Sequence, residues 1–104
     1  MNERIEKLQL FLKEAPDDCF LNHALALEFI KLEDDASAKK LFEKNKNFDA
    51  EYIATYYHLG KLLERAGNLN EAIAVYEEGM QAAKKANDQH SYNELQAAHD
   101  DLAY

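Results

Sequence analysis

A chain with one cysteine, one proline, three glycines and no tryptophan has few means of turning often or of cross-linking itself. Cys19 has no second cysteine to pair with, so no internal disulfide can form, and a reducing, cytoplasmic setting is expected. The scarcity of glycine and proline leaves no room for the frequent tight turns of an all-β fold. No apolar run approaches membrane-spanning length, and the opening MNERIEKLQLF places charges where a secretion signal needs an unbroken apolar stretch; no membrane association is expected. Basic residues are also in the minority. Twelve Lys and Arg against twenty Asp and Glu leave a formal net charge of -8, a field that repels phosphate backbones and argues against nucleic acid as a partner.

The residues of most chemistries are equally thin. His23, His58, His90 and His99 fall in no metal-ligand spacing such as His-Glu-x-x-His, and each reads as a surface or groove histidine. There is no Gly-rich phosphate loop and no Gly-x-Ser-x-Gly elbow. Cys19 begins a helix, where a thiol pKa can fall, but the ordinary expectation for a lone cysteine is a small buried side chain. The chain reads as no enzyme, with no catalytic residue, cofactor or metal.

What remains is helix-forming sequence: Ala, Leu, Glu, Lys and Gln recur throughout, and 47% of the 104 residues are hydrophobic, enough for several packed helices in one domain, 1–104. Apolar residues at helical spacing (Ile5, Leu8, Leu12 and Ala15, widened by Phe11) predict a first helix that Pro16 ends. Asp17 and Asp18 then cap a second helix, about 19–32, in which Leu21, Leu25, Phe29 and Leu32 form one row while Phe20, Leu27 and Ile30 make other faces apolar; such a helix is sandwiched between neighbours. A short third helix is predicted over about 36–44, followed by a loop at Asn45-Lys46-Asn47-Phe48-Asp49. Two further helices, about 52–66 and 70–85, are separated by Gly67, which supplies a left-handed helix end, with Asn70 as the cap of the next. A sixth is expected over about 89–102, with Tyr92, Leu95 and Leu102 on one face.

The pattern repeats at an offset of 34 residues. Leu25 maps to Leu59, Ala26 to Gly60, Phe29 to Leu63, Ala38 to Ala72, Phe42 to Tyr76 and Glu43 to Glu77. Small residues and the aromatics that must interlock with them recur together. One step back, Leu8 stands where Phe42 does and Pro16 where Ala50 does. One step forward the motif fails, with Asn93 and Glu94 in place of Leu59 and Gly60.

The stretch from Ile53 to Ala86, with Leu59-Gly60, Gly67-Asn68, Ala72 and Tyr76, resembles the tetratricopeptide repeat. Departures are the family's opening Trp, here Asn22 and Tyr56; a small residue of the second helix, here Asn45 and Gly79; and its closing Pro, here Ala50 and Lys84. The resemblance implies an all-α, right-handed solenoid of helical hairpins with about six helices. Residues 1–16 would form an N-terminal half repeat, 19–52 and 53–86 two full repeats, and 87–104 a capping helix.

The resemblance also implies a function. First helices of such hairpins line a concave groove suited to a peptide or helical segment of another protein, so the chain is expected to be a cytoplasmic protein-binding adaptor. The groove residues expected from helical spacing are Phe20, His23, Leu27 and Ile30 or Lys31 on the second helix, Tyr57, Lys61 and Glu64 or Arg65 on the fourth, and Ser91 and Leu95 on the last. One subset of the family grips a C-terminal carboxylate with Lys, Asn and Arg at set places on these helices. Here His23, Leu27, Tyr57, Ser91 and Leu95 stand there and only Lys61 is basic, so no carboxylate clamp is expected. A self-associating structural subunit is the other reading, because a half repeat at the N-terminus leaves Ile5, Leu8 and Phe11 with one neighbour, which a homodimer through an end helix would cover.

Overall fold

The computed structural model describes residues 2–104. Six α-helices follow one another: α1 (Glu3–Glu14), α2 (Cys19–Lys31), α3 (Asp35–Phe48), α4 (Ala54–Arg65), α5 (Leu69–Lys85) and α6 (Gln89–Ala103), with no strand among the described residues. They form two compact units, the first ending at Asp49 and the second running from Ala50 to Tyr104.

Short polar side chains start several of these helices by accepting N–H groups that have no intrahelical partner. Asn2 accepts from Arg4 and Ile5, Asp18 from Leu21, Asp34 from Ser37 and Asp88 from Ser91. Asn70, expected as the cap of α5, lies inside the helix instead; Asn68 holds the cap position and makes no side-chain cap bond. The turns within the two hairpins are copies of one another. Glu33 and Gly67, at matching places in the repeat, both take the left-handed conformation, with φ of 60° and 83°. The next N–H then reaches back to the helix, from Asp34 to Phe29 O and from Asn68 to Leu63 O, each at 2.9 Å. That backward bond satisfies a carbonyl at the helix end and fixes the direction in which the chain leaves.

In the first unit Leu8 of α1 and Ala24 and Leu25 of α2 are the buried centre, with Ile5, Leu12, Leu21, Phe29 and Leu41 packed around them. Burial of the consecutive residues Ala24, Leu25 and Ala26 shows why α2 is apolar on more than one side: it packs against both α1 and α3. α3 runs to Phe48, so the loop expected over 45–49 is helical up to its last residue. Asn is a weak helix former, but Asn45 is buried and its side-chain amide donates to Cys19 O at 2.9 Å, a tertiary bond that outweighs local preference. Its Oδ1 has no hydrogen-bond partner among the described residues.

The second unit uses the same positions with different volumes. α5 packs between α4 and α6. A Cβ on Gly79 would fall 2.6 Å from Tyr56 Cβ and 3.0 Å from Leu95 Cδ1, so this glycine lets a tyrosine and a leucine close on the α5 backbone. Tyr56 also donates its hydroxyl to Ala50 O at 2.5 Å. Where the second hairpin sets a large Tyr56 against Gly79, the first has two buried asparagines, Asn22 and Asn45. The exchange of large plus small for two of middle size roughly keeps volume, and the amides of both asparagines tie down the start of α2, with Asn22 donating to Pro16 O and Asp18 O.

Candidate functional site

The expected groove residues divide between the two units. On α2, Phe20 is 67% exposed, and His23 and Leu27 are half-buried. The His23 ring meets Phe42 of α3 edge-on at 5.6 Å, so it leans toward its own partner helix. Lys31 extends into solvent but is already engaged: its ammonium lies 3.0 Å from Glu28, a nearly buried carboxylate that also takes Arg4 of α1 at 3.3 Å. The hydrogen bond from Lys31 is the main cause that holds Glu28 below the usual carboxylate range, with Arg4 adding to it. This three-residue link, which ties α1 to α2, was not read from the sequence. Glu28 and Lys31 stand at a helical pairing distance, but nothing marks Arg4 as their third member.

On α4 the side chains at Tyr57, Lys61 and Glu64 follow one another along a single face. The Lys61 ammonium lies 5.5 Å from the centre of the Tyr57 ring and 3.5 Å from Glu64. Glu64 is held from the other side, since it accepts the hydroxyl hydrogen bond of Tyr76 from α5. Burial, and then this carboxylate, push the Tyr76 phenol far above its ordinary range, so it remains a donor. Glu64 therefore turns partly toward its own partner helix rather than wholly away. Beside Tyr57, His58 is half-buried, and burial lowers its pKa while Glu94 of α6 opposes that shift.

Two expected residues have other roles. Leu95 is 1% exposed and packs on Gly79, because α6 turns this side chain into the unit's interior. It is a core residue, and its place in the groove row is corrected accordingly. Ser91 donates both its N–H and its hydroxyl to Asp88 at 3.0 and 2.8 Å, so it closes the first turn of α6. These bonds hold Asp88 below the usual carboxylate range.

His99 also departs from expectation. It is buried on α6, with Nδ1 at 2.9 Å from Asp100 and Nε2 at 3.0 Å from Glu77 of α5. Asp100 and then Glu77 raise its pKa above the ordinary 6.5, despite burial. A raised folded-state pKa gives stability that is fully present below about pH 6.5 and lost as pH rises through the folded value. The difference in melting temperature between the native chain and His99→Gln is therefore expected to be larger at about pH 5.5 than at about pH 8.5. Equal differences at the two pH values would show that the paired carboxylates do not favour the charged ring. Cys19 also runs against the lowered pKa possible at a helix start. Burial and then Asp49, Asp18 and Asp17 push its thiol up, away from the nucleophilic thiolate.

No group of three or more His, Cys, Asp or Glu that could hold a metal ion occurs among the described residues. No helix among them is long and apolar enough to cross a membrane.

Two-helix hairpins with matching turns and matching buried positions define a helical-repeat protein. A tetratricopeptide repeat profile matches residues 53–85. The chain is 39% identical to the tetratricopeptide repeat domain protein of Salinibacter ruber. The solution structure of that protein covers 85% of this chain and 89% of its own length with a TM-score of 0.81, and its crystal structure 82% and 94% with a TM-score of 0.79. A protein of Bordetella parapertussis, 28% identical, covers 99% of this chain and 90% of its own length with a TM-score of 0.82. No curated protein matches. The chain belongs to the tetratricopeptide repeat family, whose general role is protein–protein interaction.

Proposed function

We propose that the chain is a cytoplasmic adaptor that binds a peptide or helical segment of another protein on its first-helix faces, with the α4 face as the principal contact. The observation that carries this reading is the half-buried Tyr57 ring with the Lys61 ammonium beside it and Glu64 fixed by Tyr76. An aromatic plane of this kind offers large contact area at small entropic cost, and a neighbouring cation supplies direction. The matching ligand has an apolar side chain for the Tyr57 ring and a hydrogen-bond acceptor for Lys61. Phe20, His23, Leu27 and Lys31 are the corresponding residues of α2. Phe20 is the exposed aromatic there, while Lys31 is partly spent on Glu28.

The test uses a peptide selected against the whole chain from a random display library. Tyr57→Ala combined with Lys61→Glu is expected to weaken its binding by at least about tenfold, the scale of losing an aromatic anchor. Lys40→Glu, on the exposed side of α3, is expected to leave it unchanged. With no ring of basic residues to grip a C-terminus, amidating the peptide is expected to change affinity by less than about twofold. Unchanged affinity in the Tyr57 and Lys61 variant would move the site off α4, and a large loss on amidation would restore a carboxylate clamp.

A further inference from the structure

α1 differs from its sister helices at two positions. Phe11 stands one repeat before Asn45 and two before Gly79. In α3 and α5 those positions are buried under the hairpin's own first helix, where Asn45 bonds to the start of α2 and Gly79 meets Tyr56. Here Phe11 is 56% exposed. Leu10, at the place of the exposed Lys44 and Glu78, is 59% exposed. Leu8, by contrast, is buried and Ile5 half-buried, so of the three residues expected to lack cover only Phe11 is exposed, and Leu10, which is not among them, is exposed beside it.

Lys7, Leu10, Phe11 and Glu14 lie on one face at helical spacing, and all four are exposed. The face carries its own complement. With two copies of α1 laid antiparallel, Leu10 meets Phe11 of the partner subunit and Lys7 meets Glu14 of the partner subunit. Twofold symmetry makes each of these contacts twice. Antiparallel packing also sets opposite helix dipoles side by side.

We propose that this face of α1 is an isologous interface with a second copy of the chain, with apolar Leu10 and Phe11 at the centre and the Lys7–Glu14 pairs flanking them. One helix on one helix is smaller than a standard interface, so the dimer is weak and concentration-dependent. It rests on the first unit and is independent of the α4 reading.

Sedimentation equilibrium of the whole chain from about 5 μM to about 1 mM tests it. The mass is expected to rise from one copy toward two. Phe11→Asp is expected to stay at one copy throughout with its helical circular dichroism intact, since the side chain is exposed. Lys7→Glu is expected to weaken the dimer at least about fivefold by placing like charges opposite each other, and adding Glu14→Lys to restore it. The Tyr57 and Lys61 variant is expected to dimerise as the native chain does. A mass of one copy at every concentration overturns the proposal, as does a dimer indifferent to Phe11→Asp or a charge reversal that restores nothing. A chain that stays single while Phe11→Asp abolishes binding to a different protein assigns the face to that protein and equally overturns self-pairing.

Discussion

Gly60→Ala is expected to lower stability by about 1 to 3 kcal/mol, although alanine is the better helix former by about 1 kcal/mol. The reason is the Tyr76 ring. A Cβ on Gly60 would lie 2.2 Å from Tyr76 Cε1 and 2.6 Å from Cζ, distances that no packed pair sustains. The ring cannot simply step aside, because it is fully buried and its hydroxyl is tied to Glu64. Each kcal/mol lost in a domain of this size moves the melting temperature by roughly 4 to 8 °C, so calorimetry reads the effect directly. An unchanged or higher melting temperature would show that intrinsic helix preference wins and that the ring yields freely.

The first repeat already contains the relief for this clash. At the matching positions it has Ala26, Phe42 and Ile30 where the second has Gly60, Tyr76 and Glu64, and both Ala26 and Phe42 are fully buried. A phenyl ring without a hydroxyl is not drawn toward a carboxylate, and there the neighbouring helix carries a Cβ. Adding Tyr76→Phe to Gly60→Ala rebuilds that pair, so the double variant is expected to lose less than the sum of the two single losses. Residues in direct contact couple in this way, by about 0.5 to 3 kcal/mol. Strict additivity would mean that Glu64 does not position the ring.

The hairpins were legible because they rest on residue types that few positions tolerate. Gly67 at a left-handed turn, Ala38 and Ala72 at buried points and an aromatic four residues beyond each recur with a period that local composition does not produce. The left-handed Glu33 was not legible, since nothing in a glutamate announces that conformation; only its place opposite Gly67 in the repeat points to it. The last turn of α3 was missed for the opposite reason, as Asn45 and Asn47 look like a loop until Asn45 finds Cys19 O from a distant part of the chain. His99 is similar. Its carboxylate partner Glu77 lies on another helix, and helical spacing alone cannot say that α6 turns the ring inward. At the candidate site the row Tyr57, Lys61 and Glu64 follows from spacing on one helix, whereas the hold of Tyr76 on Glu64 belongs to the packing of two.

Leu95→Ala separates the two environments a leucine on α6 could occupy. On an exposed groove wall, truncation would change stability by no more than about 0.5 kcal/mol. In the interior it removes atoms packed on the α5 backbone at Gly79, where no side chain is available to collapse into the space. The neighbours Tyr56 and Ala98 are themselves buried, and Tyr56 is anchored by its bond to Ala50 O. A cavity with such fixed walls stays largely open, so the expected loss is about 2 to 5 kcal/mol, seen as a large fall in the urea midpoint. Peptide affinity of the folded variant, measured well below its melting temperature, is expected to remain within about twofold of the native value. A stable variant that binds weakly would return Leu95 to the surface and require α6 to be rotated about its axis. A destabilised variant that binds normally ties α6 to the support of α5 and leaves ligand contact to α4.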